Sequence, residues 1–207
     1  MSPAHALIIS KVLEKGAEML DAPISGNHTI VLDRKAATMV GGKKEVFQSI
    51  QPLLLCFGPR VTYVGSNGHA LSLKIALNLS IAVQMLAFSE GVLLAEKAGV
   101  DKALAVEVMT HSAISSPMLQ YRGPLVLEEP RVGFFSTKMM QKDVQLALDL
   151  GKQLAVPLPS TTIASEMLLQ TERRGLGDFD FASLYHHLAA TASSAIDSSY
   201  VEGGHSG

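Results

Sequence analysis

The sequence holds a single cysteine, Cys56, and no tryptophan. A lone thiol closes no intrachain disulfide and completes no cysteine-based zinc site, which excludes a disulfide-stapled scaffold and a zinc ribbon. Aromatic residues make up 5% of the chain against 47% hydrophobic residues, so the core must come from Ala, Leu, Val and Met, as in closely packed helices. Charge is sparse and balanced: 17 basic and 19 acidic residues leave a net charge of −2. With no basic stripe, nucleic acid is not an expected partner. No basic segment leads into an apolar run and a cleavage site at the N-terminus, so no secretory signal is read and the cytoplasm is the expected compartment. The longest apolar run, Ile75 to Phe88, is interrupted by Asn78, Ser80 and Gln84 and reads as a buried helix, too short and too polar to span a bilayer. Also missing is any Gly-x-Gly-x-x-Gly after a strand, the usual cradle for a dinucleotide pyrophosphate.

What is present changes character along the chain. Ser2-Pro3 reads as an N-cap with proline at the first helical position, and Ala4, Leu7, Ile8 and Val12 carry a helical period toward Gly16. Met19 to Ala22 reads as a strand, Ala36 to Val40 as a second one stopped by Gly41-Gly42, and Val61 to Val64 as a third. Between the last two, Lys43 to Leu55 is helical through Val46, Phe47, Ile50 and Leu54. This is α/β alternation with a small sheet. From Gly65 onward every periodic stretch is helical. A long helix is expected from Ala70 to Ala98, broken only by Gly91 and closed by Gly99. Then come a helix capped by Asp101 and running to His111, one opened by Ser115, Ser116 and Pro117 toward Tyr121, and a loop from Gly123 to Gly133. Further helices are expected over Thr137 to Leu154, Pro159 to Arg174, and from an Asp180 cap through Ala190. The expected divisions are 1–66, 67–193 and a Ser/Gly-rich, disordered tail at 194–207.

Two segments can carry chemistry. Ser25-Gly26, after a strand and a proline, offers a hydroxyl and unhindered backbone N–H groups, a nest suited to a carboxylate; the same residues also make an ordinary turn. Lys74 and Asn78 stand four apart on the long helix, so an ammonium and a carboxamide project from one face. Beside Leu71, Leu73 and Leu77 the ammonium of Lys74 would be desolvated, its pKa lowered, and fit to exchange a proton with an alcohol; alternatively it snorkels to water. Asn78 can orient the same hydroxyl or serve as a helix-surface amide. Lys142-Asp143 reads alone as a solvated charge pair, and Phe134-Phe135 as core. Seven histidines, His186 and His187 included, never fall at metal-ligand spacing with a carboxylate, so no metal site is expected.

Taken in order, Asp21-Ala22-Pro23-Ile24-Ser25-Gly26, Met39-Val40-Gly41-Gly42, Gly68 through Asn78, and Lys142-Asp143 with Leu146-Ala147 resemble the β-hydroxyacid dehydrogenase family over residues 1–190. The resemblance implies an α/β remnant plus an all-α part. Residues 1–66 would be the last strands and helices of a Rossmann-like NAD(P)-binding domain. A long interdomain helix and a 6-phosphogluconate-dehydrogenase-like C-terminal helical domain, commonly a homodimer, would follow. It implies Ser25 and Gly26 as carboxylate binders, Lys74 as general acid/base, Asn78 as substrate-orienting, and Lys142 toward the nicotinamide end. NAD or NADP is the implied cofactor, and a small 3-hydroxy acid or semialdehyde the substrate. The Gly-rich turn and the acidic ribose-binding residue are expected to precede Met1, so this polypeptide alone is expected to bind either nucleotide weakly. Asn27-His28 departs from the second glycine frequent in the family, leaving the pocket's shape and polarity open. Competing readings are a noncatalytic dimerisation module derived from such an enzyme, and an imine reductase, against which the lysine at 74 argues.

Overall fold

A computed structural model of the chain describes residues 3–133 and 135–202, with side chains from 7–133 and 135–193. It is rich in helix, with one three-stranded sheet, and divides into two compact units, residues 1–78 and 79–207.

In the first unit α1 (Pro3–Leu13) ends in a turn closed by Gly16 at φ +70°. Leu7 and Ile8, expected on its apolar face, are about half exposed at 55% and 52%. The Ser2 cap lies outside the described residues. The sheet order is β1 (Ile24–Ser25), β2 (Ala37–Gly41), β3 (Arg60–Gly65), with β1 antiparallel and β3 parallel to β2. The short helix α2 (His28–Leu32) precedes β2, and α3 (Lys44–Leu54) makes the crossover that a parallel β2/β3 pair requires. The small core joins Val40, Phe47 and Leu54, with Phe47 stacked on Tyr63 at 5.3 Å between ring centres. One strand differs from expectation. Met19 to Ala22 is not a strand; Asp21 makes an isolated bridge with Gly41, and pairing resumes only beyond Pro23, which has no N–H to donate.

Helix α4 (His69–Lys97) runs unbroken through Gly91, against the expected interruption. Glycine is needed there for proximity: a Cβ would sit 2.7 Å from Cε of Met109. The helix ends in a Schellman-type closure, Val100 N–H to Ala95 C=O with Gly99 at φ +93°. Its 29 residues contain an 18-residue window of mean hydropathy 1.7, long and apolar enough to cross a membrane by length and composition, which corrects the judgement drawn from Ile75 to Phe88 alone. Ala82, Met85, Leu86, Phe88 and Val92 of this helix nonetheless form the spine of the second unit's core.

Around that spine pack α5 (Lys102–Thr110), α6 (Pro117–Arg122), α7 (Thr137–Leu154), α8 (Pro159–Thr171) and α9 (Leu184–Glu202). Asp101, Ser116 and Ser136 cap α5, α6 and α7 by accepting from Leu104, Leu119 and Met139 N–H. The expected loop at 123–133 begins as a 3-10 turn, Gly123–Leu127. Arg122 and Asp180 form a buried ion pair at 3.1 Å, and the guanidinium lies 4.5 Å from the Phe181 ring centre. Asp180 Oδ1 also accepts from Ala182 N–H, so one carboxylate ties α6 to the entry of α9. That helix continues to Glu202, through the first part of the segment expected to be a disordered tail; residues 203–207 lie outside the described ones.

Candidate active site

The first unit gathers its polar groups at the head of α4. Helix N-termini leave N–H groups unbonded, and here the partner arrives from 47 residues upstream. The Asp21 carboxylate, 5% exposed, accepts from Gly68 N–H at 2.9 Å, Leu71 N–H at 3.3 Å and the Asn67 side-chain amide at 3.2 Å. Asn67 also donates to Met19 C=O at 2.9 Å. The backbone of Asp21 is meanwhile fixed by reciprocal bonds with Gly41. Glycines 41 and 42 leave room for this junction: a Cβ at Gly41 would lie 2.9 Å from Asp21 Oδ2, and one at Gly42 would lie 2.9 Å from Met19 C=O.

From this anchor the chain leads to both sequence-derived segments. Ser25, four residues on, is half-buried in β1 opposite Ala37. Gly26 is exposed at φ +145°, where a Cβ would meet Ile30 Cγ2 at 2.8 Å, so the bend requires glycine on two counts. Asn27 is the N-cap of α2, its Oδ1 accepting from Ile30 N–H at 2.9 Å. On the other branch, Lys74 lies three residues beyond the capped Leu71 N–H, about 4.5 Å along the axis. It is half-buried, neither sunk in the core nor standing clear in water, and Asn78, one turn further, is 6% exposed. Ser25, Gly26, Lys74 and Asn78 therefore belong to one compact unit with Asp21 at its junction.

Lys142 belongs to the second unit. It is exposed on α7 and paired at 3.0 Å with the largely covered carboxylate of Asp143. Asp21 and Asn67 are the residues that sequence reasoning missed as organisers, because a cap supplied from 47 positions away leaves no local pattern.

No group of three His, Cys, Asp or Glu side chains suited to a metal occurs among the described residues. The glycines past the strand ends are closely approached by their neighbours. Gly41 and Gly42 are filled by Asp21, Leu20 and Met19, and a Cβ at Gly65 would lie 2.5 Å from His69 Nδ1. In the second unit burial pushes the imidazoles of His186 and His187 below their usual pKa, and burial, with the Glu96 carboxylate it bonds, raises the Tyr185 phenol.

Comparison with known proteins places these segments. The family model described as "NAD-binding of NADP-dependent 3-hydroxyisobutyrate dehydrogenase" matches residues 68–188, and the "NAD binding domain of 6-phosphogluconate dehydrogenase" model matches residues 3–65. Glyoxylate/succinic semialdehyde reductase 2 of Arabidopsis thaliana is 31% identical over 92% of this chain and 53% of its own length. For 2-hydroxy-3-oxopropionate reductase of Escherichia coli the identity is 32%, over 88% of this chain and 62% of that protein. A crystal structure of 3-hydroxyisobutyrate dehydrogenase from Salmonella typhimurium superposes with a TM-score of 0.81 at 26% identity, covering 88% of this chain and 64% of that one. The chain thus spans between half and two thirds of the length of each.

Proposed function

This chain belongs to the β-hydroxyacid dehydrogenase family, and from that premise we propose that it carries the substrate-binding and proton-transfer part of an NAD(P)-dependent oxidoreductase acting on a small 3-hydroxy acid or semialdehyde. The observation that supports this reading is the Asp21 junction, which ties the segment leading to Ser25-Gly26 to the head of the helix that carries Lys74 and Asn78.

In the proposed mechanism the Ser25 hydroxyl and the backbone at Gly26 hold the substrate carboxylate. Asn78 orients the substrate oxygen through its amide. Lys74, as the neutral amine, takes the proton of the 3-hydroxyl while the carbon becomes a carbonyl, and in the reductive direction its ammonium returns that proton. NAD or NADP is the hydride carrier that the family employs. Lys142 is the residue assigned toward it. We read residues 1–66 as the end of a Rossmann-like domain, 67–193 as a 6-phosphogluconate-dehydrogenase-like helical domain that forms a homodimer, and the cytoplasm as the compartment.

The test pairs two measurements. Calorimetric titration of the isolated chain with NAD(P)(H) is expected to show affinity weaker than micromolar; micromolar binding overturns that point. In the gene's complete reading frame, assayed against glyoxylate, succinic semialdehyde and 3-hydroxyisobutyrate, Lys74→Ala is expected to lower kcat about 10²- to 10⁴-fold with nucleotide affinity unchanged. Wild-type kcat in Lys74→Ala removes the acid/base assignment. No turnover by the parent, with self-association retained, favours the noncatalytic module.

A further inference from the structure

Between the 3-10 turn Gly123–Leu127 and the Ser136 cap of α7 the chain runs over the surface of the second unit, with Glu128, Glu129, Arg131 and Val132 all exposed. This strap is tied at both ends. At the far end the Arg131 C=O accepts from Asp180 N–H at 2.9 Å, and Val132 bridges Phe179. At the near end Glu128 N–H reaches Leu125 C=O at 3.3 Å, and the Glu128 C=O lies 2.8 Å from His186 Nε2. A carbonyl only accepts, so Nε2 carries the hydrogen, and in the neutral ring Nδ1 is a bare lone pair.

That second nitrogen decides which form of the ring fits. Nδ1 is buried with no hydrogen-bond partner among the described residues. The neutral ring tolerates this, whereas an imidazolium would place a charged N–H there with nothing to accept it. The surrounding groups offer no remedy. On α4, Glu96 accepts from the Tyr185 hydroxyl; on α5, the Lys102 ammonium lies 5.0 Å from the centre of the Tyr185 ring, which itself meets His186 edge to face at 5.5 Å. On the strap, Glu128 pairs with Arg131 at 3.2 Å, and Glu129 is the carboxylate that favours a charge on His186. On α9, burial and Arg174 push His187 toward its own neutral form. Burial is the largest influence on His186, and with Lys102 it outweighs the Glu128 carbonyl and Glu129, so the folded chain favours the neutral imidazole.

We propose that His186 is a pH-sensitive latch on this strap. The neutral ring holds the Glu128 C=O. When Nδ1 takes a proton from solvent, the ring turns out to water, the bond to Glu128 breaks, and the exposed residues 128–130 lift while the tie at Arg131 stays. Such a local opening leaves the core of the unit intact. The latch stands independently of the catalytic reading above.

The test is cleavage of the full chain by endoproteinase Glu-C at the Glu128–Glu129 bond, whose carbonyl is the latched one. His186→Gln is cut at the same pH, so that the protease's own pH dependence cancels; its amide can donate to the same carbonyl and does not titrate. Relative to this variant, the parent is expected to be cut roughly tenfold faster at pH 4.5 than at pH 8, the factor that loss of one hydrogen bond allows. His186→Leu, with no donor, is expected to be cut faster than the parent at pH 8 and to show no further acid response. Glu129→Gln removes the carboxylate that favours the charge and is expected to move the parent's midpoint to lower pH. The Phe88 amide is expected to keep its protection from hydrogen exchange at pH 4.5. A parent-to-His186→Gln ratio that does not change with pH overturns the latch, as does His186→Leu cut no faster than the parent at pH 8, or a midpoint that Glu129→Gln leaves in place. A rise accompanied by loss of protection at Phe88 also overturns it, because the whole unit is then opening.

Discussion

Replacing Asp21 with alanine removes the junction on which the candidate site is built. The carboxylate is 5% exposed and accepts three hydrogen bonds, the shortest from Gly68 N–H at 2.9 Å. Loss of an N-cap costs about 1 kcal/mol, and a buried N–H left without a partner costs about 1–3 kcal/mol more. The Leu71 and Asn67 bonds, at 3.3 and 3.2 Å, are longer and share the same carboxylate, so they do not add at full value. About 3 kcal/mol is therefore expected to be lost from the first unit, a large part of the stability of a unit this size. Urea unfolding followed by circular dichroism gives the total, and amide hydrogen exchange locates it. The Gly68 and Leu71 amides should lose protection, while core amides of the second unit, such as Phe88, keep theirs. Asp21→Asn retains an acceptor of the same shape and should cost about half as much. A loss below about 1 kcal/mol for Asp21→Ala, or unchanged exchange at Gly68, refutes the claim that this carboxylate organises the head of α4.

Two further outcomes follow from the second unit. Asp180→Ala strands a buried guanidinium and frees Ala182 N–H, so it should destabilise by about 3–5 kcal/mol in urea unfolding; a cost near zero would mean that Arg122 reaches water. His186 and His187 are held below their unfolded value of 6.5, chiefly by burial, so at mildly acid pH the unfolded chain binds protons that the folded chain refuses. Their contribution to stability is complete above about pH 6.5 and is lost as pH falls toward the folded pKa values. Urea midpoints at pH 8 and pH 5, compared with those of a His187→Gln variant, should show the parent losing more; an equal pH response would refute it.

The long helices were legible because their signals are local. Ser136 ahead of an amphipathic run fixes the start of α7, and Gly99 at positive φ fixes the end of α4, so both elements lie within a residue of expectation. Gly91 was misread because a glycine in a helix signals a break only when nothing packs against it, and Met109 was not visible from that position in the chain. The strand expected at Met19 to Ala22 failed for a similar reason. Its residues suit a strand, yet Asp21 is engaged by the head of α4, and Pro23 interrupts the donors. Helix α2 gave no periodic signal, being five residues long with no buried position. The site divides in the same way: Lys74 and Asn78 share a face by arithmetic along one helix, whereas the link to Ser25-Gly26 runs through Asp21, which only the folded chain brings to Gly68.

Asn27 shows what this distinction means for specificity. As a departure from the family's second glycine it suggested an altered pocket, but its Oδ1 is engaged at 2.9 Å by Ile30 N–H. Its φ of −90° is open to any residue, so the backbone does not demand glycine there. The side chain is thus accounted for by the cap of α2. Glycine is a tolerated N-cap and alanine a poor one, so Asn27→Gly should cost a few tenths of a kcal/mol and Asn27→Ala about 1. If capping is its whole role, both variants in the complete enzyme keep the parent's ratio of kcat/KM for glyoxylate over succinic semialdehyde. A shift of that ratio in Asn27→Gly, with stability unchanged, would show the amide facing substrate and return position 27 to the pocket.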